Sequence, residues 1–444
     1  MRSVLPVVNV ARGEWGATIL SGAFFFCVLF GTASLRPVRE AMGVERGMDK
    51  LPELFYWTAG VSLVVALCFG GLVTTMDRRR FIPIGFRVVM LCLLGFILAR
   101  AAFGDDVKKG AGALFYVWLS VFNMFVTSVF WAYMADIWRL EQAKRLYPVI
   151  GVGGTLGALA GASMPWQLSE AIGPHAALWL MGLAIVVFEV GVRCMLALDR
   201  LPMRGESGPR TPRAIGGSAL DGLAAIARSP YLLAISLNAA FIAISSTIVY
   251  FSSVRLVVDK SEEVTGRLAL FAQLDLFKQL ATLPLQLFVT SHLLRFLGVG
   301  GTLCVLPLLT AAGFGVLALM DGGSEETIWI VFAVFQGLHA ATRHGIMRPT
   351  SETLFSVVST SEKYKAKTVV DTFVYRAGDV AGARIETALT AAAGLTMGSM
   401  ILLTGPMAGA WVALAFVLGR MQRSRASAGT TFPLERANDK GADS

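Results

Sequence analysis

Charge is scarce in this chain. Asp, Glu, Lys and Arg make up 16% of its 444 residues, where a soluble domain carries about 25%. Histidine is rarer still, with four copies. The five cysteines, Cys27, Cys68, Cys92, Cys194 and Cys304, each lie inside an apolar run without metal-ligand spacing. An odd count placed that way excludes a disulfide framework, and the thiols read as small packing residues. Also missing are a phosphate-cradling Gly-Lys-Ser loop and a nucleophile elbow, so an ATP-driven pump or a membrane enzyme has little support. No cofactor and no metal are expected.

What fills the chain instead is apolar. Hydrophobic types reach 55% and mean hydropathy is +0.64. Crossing about 30 Å of hydrocarbon takes about 20 apolar residues in a helix, and the sequence offers that length repeatedly. A soluble enzyme, a nucleic-acid module and a disordered protein are thereby excluded, leaving a polytopic all-α membrane protein. The net charge of +9 does not point to nucleic acid, because the basic residues cluster in short connections between apolar runs. Arg2 and Arg12 precede a run longer than a signal h-region, so no cleavable leader is expected.

Hydropathy places twelve transmembrane spans: 15–35, 54–73, 81–102, 113–137, 147–168 and 177–198, then 231–254, 265–289, 296–320, 327–346, 368–392 and 399–419. Between the sixth and seventh lies a stretch of Arg200, Arg204, Arg210 and Arg213 mixed with Pro202, Pro209, Pro212, Gly205 and Gly208, which reads as a linker. Residues 218–228 within it read as a short interfacial helix. The expected organisation is an N-terminal six-helix half (1–200), a basic cytoplasmic linker (201–230), a C-terminal six-helix half (231–420) and a disordered cytoplasmic tail (421–444). With the N-terminus inside, roughly 23 Lys and Arg fall on the cytoplasmic side against about 9 outside, so both termini are placed in the cytoplasm. The halves echo one another. Glu141, Lys144 and Arg145 follow span four, and Glu362, Lys365 and Lys367 follow span ten. Two six-helix pseudo-repeats joined by a basic loop are the architecture of major facilitator transporters, whose substrate site lies near the midplane between the halves. The loop 71–80, with Asp77 and Arg78 to Arg80, is similar to a degenerate form of the facilitator loop between spans two and three.

Ionisable residues at mid-depth are costly and therefore candidates for function. Span eleven carries Arg376 and Asp379 near its centre, with Glu386 on the same face. Span eight carries Gln273, Asp275, Lys278 and Gln279. Span ten carries Gln336 and His339, with Arg343 and His344 deeper toward the cytoplasm. Span six holds Glu189 with Arg193 one turn below, and span four ends on Asp136. Each has a structural alternative. Asp275–Lys278 and Arg376–Asp379 can neutralise one another as i,i+3 pairs or line a shared wet cavity. Glu189 can couple protons or pair with Arg193, and His339 can pack or relay protons. Asp136 fits a cytoplasmic gate with Arg139 and Arg145. In span five, Gly153, Gly157 and Gly161 recur every four residues, which allows a close helix crossing, as plain packing or as a hinge.

Two segments go further. Leu35-Arg36-Pro37-Val38-Arg39-Glu40 ends span one, and Arg348 to Asp379 includes Glu352, Lys365, Lys367, Asp371, Arg376 and Gly378. With Phe130-Trp131 through Asp136, they resemble the ATP/ADP nucleotide translocase family, and more closely its free-living bacterial branch. The resemblance implies Lys-Pro-Leu-Arg-Asp at the first segment, matched by Arg36, Pro37 and Arg39. It implies Lys-x-Lys followed by Asp at the second, matched by Lys365, Lys367 and Asp371. Nucleotide-exchanging members carry a Glu in span four where this chain has Leu119, an acid in span seven where it has Val249 and Tyr250, and a Lys near Asp379. The basic residues still favour an anion, since guanidinium forks suit phosphates and carboxylates.

Three readings stand at this point. The first is a secondary active transporter of an organic anion, with nucleotides among the candidates, in a bacterial inner membrane. Arg36, Arg39, Lys278, Arg343 and Arg376 would contact the anion, while Glu189, Asp275, Asp379 and Asp136 couple or gate. The second is proton-coupled transport of another metabolite or drug. The third is a lipid-handling or receptor-like membrane protein without turnover. The expected partners are a small anionic substrate and membrane lipids, with no nucleic acid, and the expected state is a monomer.

Overall fold

In hydrocarbon each backbone N–H and C=O must be satisfied within its own segment, so a chain of this composition has little choice but helix. A computed structural model describes residues 10–11, 13–75, 78–138, 140–201, 219–285, 289–320, 322–358, 366–367, 369–393 and 400–429. Among them, no strand occurs. The helices are α1 (Trp15–Gly43), α2 (Leu51–Thr75), α3 (Arg78–Ala102), α4 (Asp105–Ile137), α5 (Leu140–Ile172) and α6 (Ala176–Arg200). After α7 (Ala219–Arg228) come α8 (Pro230–Lys260), α9 (Val264–Pro284), α10 (Thr290–Leu303), α11 (Val305–Leu319), α12 (Glu325–Thr342), α13 (Arg348–Leu354), α14 (Tyr375–Ala393) and α15 (Ile401–Gly429).

Every expected span falls on this order, and α7 falls where the interfacial helix was expected. Residues 202–218, Lys365 and the tail beyond Gly429 lie outside the described residues. Two differences have physical causes. The helices outrun the spans: α4 and α5 each have 33 residues, about 50 Å at 1.5 Å per residue. Hydropathy marks only the part that fits the hydrocarbon. The ninth span is not one rod, because His292–Leu303 and Val305–Leu319 meet at 68°. Gly298 helps make that possible, with φ 64° inside α10, a conformation that glycine adopts without steric cost.

Six helical stretches among the described residues are long and apolar enough to cross a membrane, or seven with the bent pair. α9 and α14, which carry mid-helix charges, do not reach that apolarity.

The chain groups into two compact units. Unit 1 is Met1–Arg213 with Val254–Gln279, and unit 2 is Ala214–Ser253 with Leu280–Ser444. Residues 254–279, expected in the C-terminal half, thus group with unit 1. At the centre of unit 1, α1 packs against α4, α5 and α6. Phe25 stacks on Phe130 with ring centroids 4.1 Å apart, and Phe24 meets Phe86, Phe130 and Tyr133. The α5 glycines make the close crossing. A Cβ at Gly153, Gly157 or Gly161 would stand 2.4, 2.3 and 2.4 Å from the carbonyl oxygens of Gly22, Phe26 and Phe30 on α1. Here the glycine stripe is backbone packing.

Unit 2 repeats the device. A Cβ at Gly378 would stand 2.6 Å from the Ala243 Cβ, and one at Gly382 would stand 3.0 Å from the Ile244 carbonyl, so α14 lies close on α8. The Trp411 indole donates to the Asn238 side-chain oxygen at 2.9 Å, which lets a fully buried Trp satisfy its N–H.

Candidate functional site

In unit 1 the site begins with a proline. Pro37 lies inside α1 and removes the N–H that would bond to the Ala33 carbonyl, loosening the turn that carries Arg36 and Arg39. Arg36 reaches across to α9, with Nη1 3.4 Å from Asp275 Oδ2. On α9 itself, Lys278 Nζ lies 3.6 Å from Asp275 Oδ1. Asp275 is only 10% exposed while Arg36 and Lys278 are 31% and 30% exposed. Two cations therefore share one buried carboxylate, and both remain partly exposed. Arg39, one turn along α1, donates to Ser120 Oγ at 3.2 Å, lies over the Tyr116 ring at 5.0 Å and pairs with Glu40.

In unit 2 the close approach of α14 to α8 brings Asp379 beside Thr247, which donates to Asp379 Oδ1 at 3.3 Å. Arg376 Nη1 donates to Asp379 Oδ2 at 3.0 Å. Arg343 is near enough to act on the same carboxylate. Both segments of the cluster pass through π-helical turns, Arg343–Met347 and Val370–Val374. Such turns insert a residue and re-aim the side chains that follow, and they are frequent at functional sites. Again two cations attend one carboxylate, here both guanidinium groups.

A second polar group in unit 2 is fully buried. Ser245 Oγ lies 3.0 Å from His339 Nε2 and 3.2 Å from Thr310 Oγ1, tying α8, α11 and α12 together. His339 is thus a hydrogen-bonded packing residue in this conformation.

The other candidates sit elsewhere. Glu189 pairs with Arg193 at 3.2 Å and with Arg87 of α3 at 3.9 Å. The Arg193 partnership was one of its two expected roles, and Arg87 was not anticipated. Asp136 is exposed at the end of α4. Arg145, expected beside Asp136, is seated on Glu14 at 2.5 Å. Glu14 also accepts from Gln142 at 2.8 Å. The Arg145 guanidinium holds the Glu14 carboxyl down to about 2 from its ordinary 4.5. Of the family-like segment, Lys367 is bound by both oxygens of Glu352 at 2.5 and 2.6 Å, and Asp371 is exposed.

The pairing of Arg36 with Asp275 had no sequence signal, since 239 residues separate them. The i,i+3 pairs did have one.

No protein-family model matches the chain. Among curated proteins, the ADP,ATP carrier protein 1 of Chlamydia trachomatis is 21% identical over 85% of this chain and 82% of its own length. The plastidic ATP/ADP-transporter of Solanum tuberosum is 23% identical over 94% of this chain and 73% of its own. Among solved structures, a variant of the nucleoside transporter NupG matches with TM-score 0.64 at 15% identity, covering 91% of this chain and 99% of its own. The POT family transporter PepTSo matches with TM-score 0.62 at 12% identity, covering 94% of this chain and 99% of its own. The fold is that of the major facilitator-like transporters, two pseudo-repeats of membrane helices. Along most of its length, the Arg36-Pro37-x-Arg39 and Lys367-x-x-x-Asp371 segments included, the chain is similar to ATP/ADP carriers.

Proposed function

We propose that this chain is a secondary active transporter that exchanges organic anions of the nucleotide class by alternating access. The supporting observation is that each unit holds, on a charged helix too polar to count as a plain apolar span, a carboxylate shared by two cations. Asp275 lies between Arg36 and Lys278, and Asp379 lies with Arg376 and Arg343. A phosphate oxygen has the charge and the geometry to replace the carboxylate on a guanidinium fork. In the empty carrier the acids occupy the cations, and in the loaded one the substrate does. Asp275 and Asp379 are thus counter-ions that keep the unloaded cations from facing a low-dielectric interior alone. Arg39, held by Ser120 and Glu40, sits one turn from the first group and takes part in anion contact. Asp136 acts at a distance from it, in gating.

The carrier relatives by name handle ATP and ADP, which supports the nucleotide class. The surplus of Lys and Arg in loops on one side supports cytoplasmic termini and a bacterial inner membrane.

The test is counterflow. Purified protein in vesicles preloaded with ADP is expected to take up labelled ATP much faster than in empty vesicles, and Arg376→Ala is expected to abolish that uptake with expression unchanged. Uptake that ignores internal nucleotide and follows an imposed pH gradient would replace exchange with proton coupling. Unaltered kinetics in Arg376→Ala would remove the anion role from α14.

A further inference from the structure

The outward face of α3 and α6 is lined with exposed aliphatic side chains: Ile84 (52%) and Leu91 (67%) on α3, Val186 (60%) and Val190 (46%) on α6. Their spacing along each helix marks one stripe, left exposed among the described residues. In a membrane helix such a stripe meets lipid tails.

Two arginines interrupt it. Arg87 lies on the same stripe as Ile84 and Leu91, and Arg193 one helical repeat from Val186. Their side chains are 54% and 76% exposed. Glu189 stands between them, 3.9 Å from Arg87 Nε and 3.2 Å from Arg193 Nε. Among the described residues, neither Nη atom of Arg193 has a hydrogen-bond partner, and Arg87 meets no acid other than Glu189. Two guanidinium groups and one carboxylate leave a net positive charge facing hydrocarbon, a placement that proteins avoid unless something answers it.

The depth says what can answer. Arg193 lies seven residues before Arg200 at the end of α6, about 10 Å along the axis, and Arg87 nine residues after Arg78, about 13 Å. Half of the hydrocarbon core is about 15 Å. Long basic side chains send their heads toward the interface, and the bilayer thins locally around them. The abundant anion at that boundary is a lipid phosphate, and guanidinium forks match phosphate oxygens in pairs.

We infer that Arg87 and Arg193, held side by side by Glu189, form a binding site for the headgroup phosphate of an anionic phospholipid in the leaflet on the Arg200 side. The lipid tails lie along the Ile84–Leu91 and Val186–Val190 stripe. The site is separate from the substrate groups, and it fails or stands independently of the transport reading.

The test uses the full chain in vesicles of phosphatidylcholine mixed four to one with phosphatidylglycerol, extracted and weighed by native mass spectrometry. Phosphatidylglycerol is expected to stay bound in preference to phosphatidylcholine. An arginine near an anionic surface is worth about fivefold in partition, so Arg87→Gln and Arg193→Gln should each cut the preference by about that factor, while Lys260→Gln should not. Should the arginine variants fold poorly, Glu189→Gln serves instead, and by removing the competing carboxylate it should raise retention. No preference in the parent, or unchanged retention in all three variants, overturns the site. A disulfide-linked dimer formed in high yield by Val186→Cys also overturns it, by showing that a second copy covers this face.

Discussion

Gly157→Ala isolates the helix crossing on which unit 1 is built. The added methyl would stand 2.3 Å from the Phe26 carbonyl oxygen, about 1.1 Å short of ordinary contact at 3.4 Å. A backbone carbonyl inside a helix cannot swing aside as a side chain can. α1 and α5 must therefore part by about 1 Å, and Gly153 and Gly161 lose their own close approach to Gly22 and Phe30. Overpacking of this kind costs about 1–3 kcal/mol, while alanine gains up to about 1 kcal/mol over glycine in helix propensity. The packing penalty is the larger, so a net loss of about 1–2 kcal/mol follows. Gly151→Ala is the internal control, since nothing lies within 4 Å of a Cβ there and only the propensity gain applies. Thermal unfolding in detergent, followed by circular dichroism, should separate the two variants in opposite directions from the parent. Equal midpoints for both would refute the claim that the α5 glycines are there for backbone contact.

Asp275→Asn and Asp379→Asn should fold but turn over slowly, because each leaves its cations without a counter-ion in the empty carrier; normal exchange rates in both variants would make the pairs purely structural. Glu14 is held well below its usual range, so its tie to Arg145 contributes stability above about pH 4.5 that is lost as pH falls toward 2. The difference in unfolding midpoint between parent and Glu14→Gln should therefore shrink between pH 6 and pH 3.5, and a constant difference would exclude the ion pair as its source. A cysteine introduced at Ser207 should react only with reagents supplied to the cytoplasmic side, and labelling from outside would reverse the topology.

The spans were legible because hydrocarbon thickness imposes a length that any apolar count recovers. Their ends were not, since α4 continues upstream to Asp105 and Asp106, where hydropathy has already fallen. The i,i+3 pairs followed from helix geometry alone. What could not be read was anything joining distant parts of the chain: Arg36 to Asp275, Arg145 to Glu14, and Arg87 to Glu189. Charge signs permit many such pairings, and only packing selects among them. Gly298 illustrates the same limit, because within Gly298-Val-Gly300-Gly301 nothing in the letters separates a residue with positive φ from its neighbours. The glycine stripe on α5 was read as packing or hinge, and the carbonyls of α1 lying against it give its immediate reason.

The centrality of α1 also sets an order of events during synthesis. It is made well before α5 and α6, the partners that bury it. At about 5–20 residues per second, Gly153 emerges on the order of ten seconds after the Gly22 it must meet. Throughout that interval the bare carbonyl face of α1, and Arg36 and Arg39 at its end, have to be sheltered by the insertion machinery or by lipid. A weakened α1–α5 crossing should therefore appear first as α1 slipping from the membrane in the newborn chain, upstream of any effect on transport.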